Sequence, residues 1–331
     1  MNIKPFPLLL AAALALPIAA PASAESANWP ERSITMITGF PGGSGVDIYA
    51  RKLAEELSKN LDVPVVVESR TGAGGNVGAD VVARSKPDGY TLMFSTSGTH
   101  AINASLYASL PFDVQEDFTR IAFLGDIPNV LLINAEKYPD VNNCKDFLDV
   151  ARARPGELNY SSTGSGTSTH LAAALLTHMA NLDIAHIPYR GQGPAMTALL
   201  SQDVDLFVNQ VPPSMGYIKN GELRALGVTI KEGVHALPNV PTIAEACDIP
   251  DYESSTWYGI FAPAGLPEAI THTLHQEITD IVQNPEFEDW LQETQGVTPP
   301  GAMSLEDFAA YHEQDIQEWA KVVELSGAQV D

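Results

Sequence analysis

Residues 33–67 read SITMITGFPGGSGVDIYARKLAEELSKNLDVPVVV, and their order of strand, turn, helix and strand decides the fold class. Residues 33–38 are a short β-branched and apolar run. Residues 46–60 put Val46, Ala50, Leu53, Ala54 and Leu57 on one stripe, the spacing of a helix packed against a sheet. Residues 63–67 are apolar without alternation, as strands buried on both faces tend to be. Between the first strand and the helix lies a turn built from Pro41, Gly42, Gly43, Ser44 and Gly45.

The same alternation continues along the chain. A turn over Gly72–Gly78 opens a helix to about residue 85, Lys86-Pro87-Asp88-Gly89 is turn chemistry, and residues 90–94 form the third strand. Further strands are predicted at 130–133, 159–161, 185–187, 206–208, 223–228 and 257–261. Helices are predicted at 142–154, 169–180 and 195–200, and from about Pro267, Pro285 and Ser304. Repeated βα units predict an α/β protein with mostly parallel sheets flanked by helices. No period of 20–50 residues repeats, so a solenoid is not supported.

The first two dozen residues read as an address. Lys4 supplies a positive start, residues 8–20 are apolar, and Ala22-Ser23-Ala24 is a small-residue cleavage pattern, so residues 1–24 are expected to be a signal peptide removed after Ala24. Pro17 and Pro21 break that run too early for a membrane span. No Cys stands directly after the cleavage site to take a lipid anchor, no later stretch is long and apolar enough to cross a bilayer, and the expected compartment is the periplasm. The remaining 307 residues (331 − 24) suit two domains of ordinary size better than one.

Eighteen Lys and Arg against 41 Asp and Glu leave a net charge of −23. With no basic face, nucleic acid is excluded as a partner. An acidic protein that binds an anion must do so through local dipoles, not through its overall field. Cys144 and Cys247 can pair in an oxidising compartment, but sequence does not place them within reach of each other. No His or Cys stands in metal spacing, so neither metal nor cofactor is expected.

Four polar loops lie where strands lead into helices, the crevice in which open α/β sheets bind ligands. The first is Phe40, Pro41, Gly42, Gly43, Ser44, with Asp47 three residues past Ser44. It is either a close backbone approach to an anion or a capped turn, and the two are compatible. The second is Ser95, Thr96, Ser97. The third, residues 161–170, holds Gly164, Ser165, Gly166, Thr167 and His170 among more hydroxyls than capping requires, and forms a neutral anion site at a helix start. The fourth is Tyr189 and Arg190, whose guanidinium can fork onto a carboxylate or make a surface ion pair. Asn209 and Gln210 can add amide donors.

Enzyme motifs are thin. There is no P-loop, Val77 replaces the third glycine of a dinucleotide fingerprint, and no G-x-S-x-G elbow occurs. His170 near Ser165 and Ser168 is a capping arrangement more than a catalytic pair. The alternative to a binding protein is a secreted α/β hydrolase acting on a small ester or amide.

In their order along the chain from about Trp29, these loops resemble the Bug family of periplasmic receptors, the binding component of tripartite tricarboxylate transporters. The resemblance rests on Pro41-Gly42-Gly43 with Asp47 and Arg51, on Gly72-Ala73-Gly74-Gly75-Asn76, and on Pro87-Asp88-Gly89-Tyr90-Thr91-Leu92. Asn159-Tyr160, Gly164-Ser165-Gly166-Thr167 with His170-Leu171, and Pro188-Tyr189-Arg190-Gly191 continue it. Pro241-Thr242 with Glu245, and Trp257-Tyr258-Gly259 with Ala262-Pro263, complete it. Two features depart from the pattern, Ser44-Gly45 and Cys247 where a glycine is common, and Asn209-Gln210 can alter the distal end of the pocket.

The resemblance implies a two-lobed, hinge-closing fold with a small carboxylate held between the lobes. One lobe would comprise residues 25–125 and 230–331, the other 126–229. It further implies that residues 40–44 and 164–167 hold one carboxylate, partly through backbone groups and bridging waters. Residues 95–97 and Arg190 would shape the rest, and Asp47 would orient the first loop. A monomer is expected, handing its cargo to a two-component integral membrane permease. Family cargoes include aliphatic di- and tricarboxylates, amino acids and aromatic acids.

Overall fold

A computed structural model describes residues 28–231 and 233–330, so the signal-peptide expectation falls outside the described residues. In chain order come β1 (Ile34–Thr38), α1 (Gly45–Leu61), β2 (Val65–Ser69), α2 (Asn76–Ala83), β3 (Thr91–Thr96), α3 (Asn103–Leu106) and β4 (Phe118–Ile127). The chain then crosses into β5 (Asn129–Asn134), α4 (Cys144–Ala153), β6 (Leu158–Ser162), α5 (Ser168–Met179) and β7 (Ile184–Pro188). It continues through α6 (Gln192–Leu200), β8 (Leu206–Gln210), α7 (Val211–Lys219), β9 (Leu223–Val228) and α8 (Ile243–Ala246). It returns through β10 (Thr256–Pro263), α9 (Glu268–Val282), α10 (Pro285–Trp290) and α11 (Leu305–Ser326).

Two five-stranded sheets result, ordered β2-β1-β3-β10-β4 and β7-β6-β8-β5-β9. In the first sheet β1 runs parallel to β2 and β3, while β10 is antiparallel to both β3 and β4. In the second, β6 runs parallel to β7 and β8, while β5 is antiparallel to β8 and β9. One strand of each sheet therefore runs against the other four. The two-lobed α/β architecture stands, with mixed sheets.

The stripe on α1 is buried as its spacing predicts, with Ala50, Leu53 and Leu57 fully enclosed. Burying each leucine contributes roughly 2 kcal/mol. It packs with Tyr49, Phe94 and the inner face of α9 to form one core layer of the first lobe. The opposite face is covered by α2 and α11, where Trp257, Phe261, Phe308 and Trp319 cluster. Leu171 of α5 joins that cluster, so α11 packs against both lobes.

The segment after β9, read from the sequence as first-lobe chain, places Ile243, Cys247, Ile249 and Tyr252 in the core of the second sheet. Cys247 is disulfide-bonded to Cys144 at the start of α4, with their Cα atoms 5.0 Å apart. The two segments that cross between the sheets meet on Thr229. The Asn129 N–H donates to Thr229 Oγ1 at 2.9 Å, and the Ser254 N–H donates to the Thr229 carbonyl at 3.0 Å.

Candidate functional site

A cleft of about 410 Å³ opens between the sheets, lined from the first lobe by Phe40, Ser44, Gly45, Val46 and Thr96 and from the second by Thr163, Ser165, Gly166, Thr167, Ser168 and Gln210. Ile102, Leu106, Tyr107, Ile127, Tyr258 and Val330 add apolar surface, and Gly74, Gly98, Asn103 and Thr256 complete it. Among these lining residues there is no Lys, Arg, His, Asp or Glu. Whatever charge the cleft meets is met by dipoles.

The first loop is set by the start of α1. Ser44 caps the helix by accepting the Asp47 N–H at 3.3 Å, leaving Gly45 and Val46 at the cleft wall. A Cβ at Gly45 would lie 3.7 Å from Tyr258 Oη, so the first helical turn faces that phenol. Burial pushes the Tyr258 phenol well above its ordinary pKa, keeping it a neutral hydroxyl. Asp47 is buried beneath the loop. It accepts the Gly43 N–H at 2.9 Å and a two-pronged bond from Arg51, also 2.9 Å for each nitrogen. The Arg51 guanidinium holds the Asp47 carboxyl below the usual carboxylate range. The acid that orients the loop is thus neutralised next to a helix start that can then attract an anion. Gly39 is required by close approach: a Cβ there would stand 2.4 Å from Gly75 Cα, where the 72–76 loop packs on the first loop.

In the second loop only Thr96 reaches the cleft. Ser95 is fully buried with its hydroxyl 2.6 Å from His100 Nδ1, and Ser97 Oγ accepts the Trp257 N–H at 3.3 Å. Sequence reasoning treated the three hydroxyls alike; strand alternation sends them to different faces.

The third loop is fastened to α5. Thr167 caps the helix and donates its hydroxyl to the Gly164 carbonyl at 2.7 Å. The Thr163 N–H donates to Thr169 Oγ1 at 2.9 Å, and the Gly166 N–H donates to His170 Nδ1 at 3.0 Å. That last bond needs a neutral imidazole. Burial, with the His186 ring stacked 3.8 Å away, pushes His170 down to about 4. His170 therefore sits behind the loop as its anchor, and Gly164 turns the backbone without lining the cleft.

Pro41, Gly42 and Gly43 form the turn behind Phe40 and Ser44 and do not line the cleft. Tyr189 and Arg190 are also elsewhere. The Tyr189 N–H is bonded to the Ser162 carbonyl at 3.0 Å, its ring packs on the second lobe's core, and Arg190 is exposed. Asn209 is enclosed, donating to Ser214 Oγ at 3.0 Å and accepting from Gln192 at 3.1 Å, so its neighbour Gln210 is the amide at the cleft. Asn103, Tyr107 and Val330 line the cleft without a signal in their local sequence, and Tyr258 lines it from the Trp257-Tyr258-Gly259 stretch. Distant segments bring them there.

The buried Ser95–His100 pair has the geometry of a nucleophile and base but no exposed surface for a substrate. His170, the other candidate base, has its Nδ1 occupied by a backbone N–H. The hydrolase reading finds no support.

Residues 49–327 match the model of the tripartite tricarboxylate transporter family receptor. BugT of Bordetella pertussis is 36% identical over 314 residues, covering 95% of this chain and 94% of that protein. The chain belongs to the tripartite tricarboxylate transporter receptor family. The resemblance to Bug receptors seen in the loop series is thereby borne out. Two solved structures resemble this receptor over most of its length. One is that of R. palustris Rpa4515 with adipate (32% identity, TM-score 0.78, 92% of this chain and 100% of that one). The other is that of MatC from Rhodopseudomonas palustris with bound malate (29% identity, TM-score 0.73, 89% and 100%).

Proposed function

We propose that this receptor captures a small carboxylate between its lobes in the periplasm and hands it to a two-component membrane permease. The observation that carries this reading is the pair of helix starts, α1 on one wall and α5 on the other, bordering one uncharged cleft. Each start presents unpaired N–H groups and roughly half a positive charge, and away from water the pair can hold an anion without a cationic side chain. That answers how a protein of net charge −23 binds an acid. The adipate and malate in the two related structures support the same chemistry.

In this reading the N–H groups of Gly45, Val46 and Ser168 and the hydroxyls of Ser44 and Ser165 grip one carboxylate, while Thr167, its proton given to the Gly164 carbonyl, holds the loop in shape. Phe40, Thr96, Gly166 and Gln210 bound the rest. Asp47, Gly43, Gly164 and His170 position the loops, and Arg190 has no part. The lobes turn about the crossing segments near residues 127–129 and 252–256, and no bond is made or broken. The working form is a monomer, cleaved after Ala24, presenting both lobes to its permease.

A thermal-shift screen of the mature protein, stripped of co-purified ligand by unfolding and refolding, tests this. The panel holds mono-, di- and tricarboxylates, aromatic acids and acidic amino acids. An acid at 100 times its Kd adds roughly 2.7 kcal/mol of stability, a visible rise in midpoint. No rise with any member contradicts the reading.

A further inference from the structure

Past α11 the chain turns at Gly327 and runs back along the end of α3. The Val330 N–H donates to the Leu106 carbonyl at 2.9 Å, and the Ala108 N–H donates to the Val330 carbonyl at 3.2 Å. This strap is held by its backbone, which leaves the Val330 side chain half-buried in the cleft wall together with Leu106 and Tyr107.

Two surface hollows lie on the strap's other sides. One, about 510 Å³, is bounded by residues 325–329 and by Ser165, which also lines the cleft. The other, about 490 Å³, is bounded by residues 327–329 and by Leu106 and Tyr107, which likewise line the cleft. The strap is therefore the partition between the cargo cleft and open space.

From this geometry we infer that the strap, through the Val330 side chain, sets the length of apolar body that the cargo can carry behind its carboxylate. The inference rests on the carboxylate reading above and adds the residue that selects among acids. Val330 borders the cleft beside Leu106 and the ring of Tyr107, an apolar surface suited to methylenes. Removing its side chain lengthens the space toward the hollows. Enlarging it shortens the space. Neither change removes a backbone bond that holds the strap.

The test is calorimetric titration of the full mature chain, as wild type, Val330→Gly and Val330→Trp. The probes are straight-chain monocarboxylates from butanoate to decanoate and the α,ω-dicarboxylates of the same lengths, with unfolding midpoints recorded in parallel. Relative to wild type, Val330→Gly is expected to prefer longer acids, with Kd falling about four-fold for each methylene newly buried. Val330→Trp is expected to prefer shorter ones, and acids too short to reach the wall keep their affinity. The same length preference in all three proteins overturns the assignment of Val330 while leaving the carboxylate reading intact. A wild type that binds no acid of either series overturns the carboxylate reading, and the wall assignment falls with it.

Discussion

Gly166→Ala is expected to weaken cargo binding by on the order of 30-fold while both sheets stay folded. Gly166 has φ +75°, a region that costs an L side chain roughly 1 kcal/mol or more. A Cβ there would lie 2.4 and 2.6 Å from the two terminal carbons of Leu106. Leu106 belongs to the first lobe and Gly166 to the second, so the clash opposes the approach of the lobes as well as the shape of the loop. Overpacking of this kind adds about 1–3 kcal/mol, and a total near 2 kcal/mol corresponds to that loss of affinity. Combining Gly166→Ala with Leu106→Ala removes the clash but not the backbone strain, so the pair should bind more tightly than Gly166→Ala alone. Titration calorimetry reads both numbers. A Kd within two-fold of wild type for Gly166→Ala would show that the close packing of Leu106 on the loop is irrelevant to binding.

The second large effect is on stability. Replacing Cys144 and Cys247 together by Ala should cost on the order of 3–5 kcal/mol, because the bridge closes a loop with a sequence separation of 103. For a chain of this size the unfolding midpoint should fall by roughly 10 °C. The bridge fixes the segment between β9 and β10 to α4, and Ile243, Cys247, Ile249 and Tyr252 of that segment pack in the core of the second sheet. A reductant should lower the wild-type midpoint to that of the double variant and leave the variant unchanged. Equal midpoints for oxidised and reduced wild type would contradict this role.

Much of this was legible in the sequence, and the parts that were not have physical reasons. The α1 stripe and the glycine turn before it declared a helix on a sheet because both signals are local. The third loop announced itself by carrying more hydroxyls than a cap needs, and five of its residues line the cleft. The direction of β5 and β10 was hidden, since a strand buried on both faces reads the same whichever way it runs. β4 escaped because Arg120, Gly125 and Asp126 interrupt its apolar run, and α7 because it opens with Pro212 and Pro213, acceptable only in a first turn. Arg190 looked like an anion ligand because cations are few here; its position on the outside of a turn is not encoded locally. Tyr107 and Val330 share the cleft wall across more than two hundred residues of chain, a pairing that no window of sequence displays.

The cleft also explains the charge balance. The Asp47 carboxylate, beneath the first loop, is bound on both oxygens by Arg51, and no Lys, Arg, His, Asp or Glu lines the cavity. An anion entering there meets two helix starts rather than the field of an acidic surface, which salt screens within about 10 Å.

The most direct measurement is a crystal structure of the mature protein with the acid that the thermal screen selects. The account predicts one carboxylate between α1 and α5, its oxygens about 3 Å from N–H groups of Gly45 or Val46 on one side and Ser168 on the other. A carboxylate seated elsewhere, on Arg190 or in a surface hollow, with those N–H groups left to water, would contradict it.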